Sequence, residues 1–150
     1  MTTTSDRIEK QIVLRASPER VWRAIASARE FGSWFGVNLQ DDFVPGATVR
    51  GAITIKGFEN VAMTMLIERM EKERVFAFRW HPYAIEPNVD YAQEPTTLVE
   101  FRIEAVAEGT RLVVTESGFD QLPEGRRFKA FEMNSGGWTA QLANIERYVA

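Results

Sequence analysis

Arg126-Arg127-Phe128-Lys129-Ala130-Phe131-Glu132-Met133-Asn134-Ser135-Gly136-Gly137-Trp138-Thr139-Ala140-Gln141-Leu142-Ala143-Asn144-Ile145-Glu146-Arg147-Tyr148-Val149-Ala150 is the stretch that decides the fold. Phe128, Phe131, Ser135, Trp138, Leu142, Ile145 and Val149 follow one another at steps of three and four, which keeps a single stripe along a helix of period 3.6. At a rise of ~1.5 Å per residue such a helix runs on the order of 35 Å, about the width of a small domain, so the rest of the chain must pack along it. The stripe predicts that Trp138, Leu142 and Ile145 face a sheet. Gly136 and Gly137 interrupt the helix, and each costs roughly 1 kcal/mol relative to alanine. Two readings of the pair stay open: a close backbone approach or kink, or the wall of a cavity.

Upstream, the apolar pattern changes from period 3.6 to period 2. Ile8 to Arg15 alternates, with Ile8, Lys10, Ile12 and Leu14 on one face. Ser17-Pro18-Glu19 is a helix start, with a hydroxyl acceptor at the N-cap, a proline where its missing N–H costs nothing, and a carboxylate at the positive dipole end. The helix is expected to reach about Ala28 with Val21, Trp22 and Ile25 inward. Glu30 to Gly36 carries three aromatics in a short, glycine-punctuated run that suits a second helix of one or two turns. After the Pro45-Gly46 turn, further strands are predicted at Val49–Ile55, Val61–Met70, Val75–His81, Thr96–Val106 and Thr110–Glu116. Met63, Met65 and Ile67 share one face of their strand, and so do Phe76, Phe78 and Trp80 of theirs, with either side of the latter free to be the inner one. The short links make neighbours antiparallel. Between Pro82 and Pro95 periodicity disappears, and a loop of that length is expected to be a mobile flap over a cavity entrance.

These elements give an α+β fold: a curved antiparallel sheet of six strands, two short helices after the first strand, and the long helix lying in the concave side. With 150 residues and 45% hydrophobic content, one domain spanning 1–150 can bury a core of its own. The 18 basic and 21 acidic residues are interspersed, leaving a net charge of -3 and no nucleic-acid footprint. The absence of cysteine excludes disulfides, thiolate metal sites and thiol nucleophiles. The N-terminus has no signal-peptide run and no stretch has the length of a membrane span, so a cytoplasmic protein without stable membrane association is expected.

Four segments together resemble a known family: Ala16-Ser17-Pro18-Glu19-Arg20-Val21-Trp22-Arg23-Ala24-Ile25, Phe31-Gly32-Ser33-Trp34-Phe35, the Gly109 to Phe119 hairpin with Val113-Val114-Thr115-Glu116-Ser117-Gly118-Phe119, and Asn134-Ser135-Gly136-Gly137-Trp138 with Leu142. The chain is similar to the START-like (SRPBCC) superfamily, and within it to proteins like the C-terminal domain of the activator of the heat-shock chaperone ATPase. The resemblance implies a helix-grip fold with a largely apolar cavity between sheet and C-terminal helix. Its functional implication is broad, because members include lipid carriers, polyketide cyclases and aromatases, and a shared fold does not carry a shared chemistry.

Motifs for phosphate or nucleotide binding and paired catalytic carboxylates are missing, and a lone histidine, His81, cannot build a multi-histidine metal site. No cofactor and no metal are expected, and no residue is assigned as catalytic. The expected partner is a small hydrophobic molecule, lipid-like or aromatic, with a second copy of the chain as the protein partner allowed for. Its candidate contacts are Trp34, Phe35, Met63, Met65, Phe78, Trp80, His81, Tyr83, Phe101, Glu116, Met133, Gly137 and Trp138. Glu116 continues the inward phase of Leu112 and Val114. A carboxylate at the mouth of an apolar cavity has a raised pKa, whereas pairing with Arg79 or solvent exposure is the commoner fate of such a residue. Two other function classes stay beside cavity binding: a cyclase or aromatase in which Glu116, His81 or Tyr83 moves protons, and a chaperone-interaction module.

Overall fold

The computed structural model describes residues 7–59, 61–82 and 93–150. In chain order the elements are β1 (Arg7–Leu14), α1 (Pro18–Ala26), α2 (Ala28–Phe35), β2 (Val37–Leu39), β3 (Thr48–Ile53), β4 (Ala62–Glu71), β5 (Val75–Trp80), β6 (Thr97–Val106), β7 (Gly109–Ser117), a 3-10 turn (Phe119–Gln121) and α3 (Glu124–Val149). One sheet is ordered β1-β7-β6-β5-β4-β3-β2, every neighbouring pair being antiparallel. The sheet curls around α3 in the helix-grip arrangement, with α1 and α2 packed beside α3.

Local chemistry accounts for the helices. The Ser17 side chain accepts the Arg20 amide at 3.2 Å and Pro18 opens α1. Ser27 then takes an extended conformation and its hydroxyl accepts from the Glu30 amide, so α1 ends at Ala26 and α2 starts at Ala28 instead of α1 running on. Gly36 closes α2 with a φ of 97°, a left-handed conformation that L side chains avoid. The chain leaves this turn directly into β2, whose Val37, Asn38 and Leu39 pair with Ile53, Ala52 and Gly51. Among the described residues the sheet therefore has seven strands and not six. Three residues are too few to display a two-residue period, and the partner strand, not the local pattern, defines β2.

On the sheet, the inward phases are Ile8 and Leu14 on β1, Met63, Met65 and Ile67 on β4, Phe76 and Phe78 on β5, Val99, Phe101 and Ile103 on β6, and Leu112 and Val114 on β7, all buried. The open question of the Phe76–Trp80 strand is settled by ring contacts: Phe76 meets Phe101, Phe78 meets Phe31, and Trp80 meets Trp138, so the aromatic phase faces the helices.

The long helix is in the expected place, but the first half of its inward stripe differs. Trp138, Leu142, Ile145 and Val149 are buried and Phe131 packs on Phe119, whereas Phe128 is 66% exposed, as is, at 42%, Met133, a residue outside that stripe. Stepping back from Trp138 four residues at a time gives Asn134 and buried Ala130, which is the line a straight helix follows. At ~100° per residue Phe128 points about 160° away from Ala130, and Met133 about 140° away from Trp138. Gly136 and Gly137 are likewise exposed, and a Cβ added to either meets nothing within 4 Å. No described backbone approaches them, so a close backbone approach does not explain the pair.

Candidate functional site

Glu116 is the side chain on which the inner face converges. Alternation along β7 turns it inward after Leu112 and Val114, and it is 0% exposed. Across the sheet, Glu116 pairs with Val99 of β6, the inward residue next to Thr97, and Thr97 itself pairs with Trp80 of β5. That register brings three side chains from three strands to one point. The Trp80 indole N–H donates to Glu116 Oε2 at 2.7 Å and the Thr97 hydroxyl to the same oxygen at 2.5 Å. From α3, four residues apart and hence on one helix face, come Trp138, whose indole N–H donates to Oε1 at 2.8 Å, and Asn134, whose amide splits between Oε1 at 3.0 Å and Oε2 at 3.1 Å.

These donors are all neutral. Burial pushes the Glu116 pKa above the ordinary carboxylate value of 4.5, and the bonds from Thr97, Trp80, Trp138 and Asn134 oppose that rise without cancelling it. Arg79, the charged partner considered from the sequence, instead faces Glu68 at 3.7 Å, both side chains being part-exposed. A second buried carboxylate shows what compensation looks like. Glu30, 6% exposed, accepts from Arg20 at 2.8 Å, Arg23 at 3.1 Å and the Tyr148 hydroxyl at 3.1 Å. Burial raises its pKa too, but the bonds from Arg20 and Tyr148 and the charges of Arg20 and Arg23 outweigh that and leave it lowered. Glu30 is a clasp joining α1, α2 and α3; Glu116 is a buried acid without a countercharge among its bonded partners.

Aromatic rings wall this point. Trp80 and Trp138 stack with centroids 5.7 Å apart, and Phe35 lies 5.9 Å from Trp80 and 6.1 Å from Trp138. Phe101 meets Trp138 edge-on at 5.6 Å, Phe78 meets Trp80 at 5.3 Å, and Trp34 meets Phe101 at 6.4 Å while donating its indole N–H to the Ala24 carbonyl.

Of the residues expected from the sequence, Trp34, Phe35, Phe78, Trp80, Phe101, Glu116 and Trp138 come together here. Met63 and Met65 are buried on the inward face of β4, one strand further out than β5. His81 turns away past the end of β5, one ring nitrogen 3.0 Å from the Glu94 carbonyl oxygen. There Arg126 also binds Glu94 at 3.0 Å and the Pro82 carbonyl at 2.8 Å. Met133 and Gly137 are exposed among the described residues and are not among the side chains that meet at Glu116. Tyr83, and the expected flap apart from residues 82 and 93–95, lie outside the described residues. Thr97 and Asn134 were not anticipated. Their signals were present, Thr97 sharing the phase of Val99 and Phe101 and Asn134 standing one turn before Trp138.

An open cleft of about 500 Å³ runs elsewhere, between α2 and the β2 edge, past Arg29, Ser33, Asn38, Asp41 and Asp42. A second, of about 390 Å³, lies over α1 at Trp22 and Arg23. Both are shallow solvent-facing hollows without a buried acid or a ring cluster, so they are weaker candidates than the Glu116 region. Among the described residues there is no cluster of three or more His, Asp or Glu side chains able to hold a metal ion, and no helix is long and apolar enough to cross a membrane.

Solved structures share the fold. Ms6760 from Mycobacterium smegmatis superposes with a TM-score of 0.75 at 17% identity, covering 97% of this chain and 91% of its own. The Aha1 dimer from Colwellia psychrerythraea gives 0.71 at 17% identity over 95% of both chains. DynU16, from the dynemicin biosynthetic locus, gives 0.73 at 22% identity over 95% of this chain, which spans only 46% of DynU16. Comparison with curated proteins gave no match. The family model described as Activator of Hsp90 ATPase homolog 1-like protein matches residues 15–150, and the chain belongs to that family within the START-like superfamily.

Proposed function

We propose that this protein binds a small apolar or aromatic molecule between the sheet and the N-terminal half of α3, with Glu116 as the polar group at the base of the site. The observation that carries this reading is the buried, uncompensated carboxylate among aromatic rings. Burying an ionisable group without a countercharge costs free energy that the four neutral donors around Glu116 offset only in part. Rings that supply apolar area around one polar group are the composition of a ligand site.

The reading is tested by thermal-shift screening with apolar and aromatic compounds. At a hundredfold excess over its dissociation constant a ligand stabilises the folded state by roughly 2.7 kcal/mol, about 5–10 °C for a chain of this size. If no compound raises the melting temperature and tryptophan emission stays unmoved, the carrier reading is overturned.

A second reading has its own observation. Thr97 lies 2.5 Å from a carboxyl whose pKa is raised, an arrangement suited to holding and passing a proton, as a cyclase or aromatase requires. Loss of one side chain separates the two readings: turnover of a reactive chain collapses in Glu116→Gln, whereas apolar binding survives it. The Colwellia relative is described as a dimer, which supports testing for a second copy as the protein partner by light scattering.

A further inference from the structure

Resting on the proposal that a ligand enters beside Glu116, the geometry points to an ammonium or other hydrogen-bond-donating head group as what that ligand presents, seated between the two Glu116 oxygens in place of the Asn134 amide. A carboxylate offers about four acceptor positions and no donor. Trp80, Thr97 and Trp138 take three of them through single bonds of 2.7, 2.5 and 2.8 Å. Thr97 and Trp138 are 0% and 2% exposed, and half-buried Trp80 is held by ring contacts with Phe35, Phe78 and Trp138, so their bonds are fixed by packing. Among the described residues Asn134 has no such ring contacts. Its one nitrogen bridges both oxygens at 3.0 and 3.1 Å, and its side chain is only half-buried on α3. It is the donor that can swing toward solvent and be replaced.

A group in that place bridges Oε1 and Oε2, which is the position an ammonium takes on a carboxylate. The carboxylate, whose bonded partners are all neutral, favours a cation over a neutral donor in that place. An anionic head group meets the opposite situation. Glu116 is the only charged side chain among the site's described residues, and in a region of low dielectric a second negative charge is repelled and finds no cation among those residues to pair with. The arginines Arg20 and Arg23 are committed to Glu30. The site is therefore built to accept amines and to reject fatty acids and other carboxylates of equal apolar content.

The test uses three probes that differ only in the head group: 4-phenylbutylamine, 4-phenylbutanol and 4-phenylbutyrate, titrated while tryptophan emission is followed. The amine is expected to bind at least tenfold more tightly than the butyrate, with the alcohol between. Glu116→Gln should bring the amine to within threefold of the alcohol. Asn134→Ala, which frees the bridging position without touching the rings, should tighten the amine severalfold and the alcohol less, and it decides the matter should Glu116→Gln fail to fold. Equal or tighter binding of the butyrate, or weaker amine binding in Asn134→Ala, overturns the head-group assignment while leaving the cavity reading intact. If none of the three binds at millimolar concentration, the cavity reading itself falls and the assignment with it.

Discussion

Glu116 ties β5, β6, β7 and α3 to one another through a single side chain, so its removal has consequences beyond its own volume. Glu116→Ala leaves two indole N–H groups, a hydroxyl and an amide without their acceptor, and the expected loss is roughly 3–5 kcal/mol in urea denaturation. A loss under about 1 kcal/mol contradicts the hydrogen-bond network described. The two buried acids also give opposite dependences on pH. Because burial raises the Glu116 pKa, the folded state holds its proton more tightly than the unfolded chain does. Its contribution to stability is thus fully present below the ordinary value of 4.5 and is lost as pH rises through the raised folded value. Glu30 has a lowered pKa, so its contribution is present above 4.5 and is lost as pH falls through the folded value. The stability of the native protein minus that of Glu116→Gln should accordingly fall with rising pH, and the same difference for Glu30→Gln should rise. Identical slopes contradict the distinction between an uncompensated acid and an ion-paired clasp.

The helix α3 is two helices in its chemistry. From Trp138 onward its inner face is apolar and its place could be read from sequence, because Trp138, Leu142, Ile145 and Val149 combine correct angle with apolarity. Before Trp138 the inner face carries Asn134, a polar residue that serves Glu116, while Phe128 and Met133 lie outside. A rule that sends apolar residues inward fails there because the interior demands a donor. Thr97 was obscured in the same way: its phase along β6 was legible, as was that of Glu116 along β7, but a hydroxyl at the inward position is resolved only by knowing its partner, which comes from another strand. β2 was missed for a related reason, being defined by β3 and not by itself. The exposed glycines give a prediction at this scale. Gly136→Ala and Gly137→Ala meet no described atom and remove helix-interior glycine, so each should stabilise by about 0.5–1 kcal/mol. A lowered melting temperature in both would mean that something packs on that side of the helix.

At the scale of the whole molecule, alternation along the strands, the Ser17-Pro18-Glu19 start and the long C-terminal helix sufficed to specify the helix-grip arrangement, since an apolar sheet face and one long amphipathic helix have few ways to cover each other. The site required the fold first, because its four donors come from three elements that only the curled sheet brings together. The account's central claim is that ligands enter beside Glu116 and not in the clefts outside. The four tryptophans, Trp22, Trp34, Trp80 and Trp138, supply four indole N–H reporters. Of these, Trp80 and Trp138 donate to Glu116, whereas Trp22 lines the outer cleft over α1. The most direct measurement is a proton–nitrogen correlation titration with the compound that gives the largest thermal shift. The Trp80 and Trp138 indole resonances should move together to saturation while Trp22 stays fixed. Movement of Trp22 with Trp80 and Trp138 unchanged would place the ligand outside and contradict the claim.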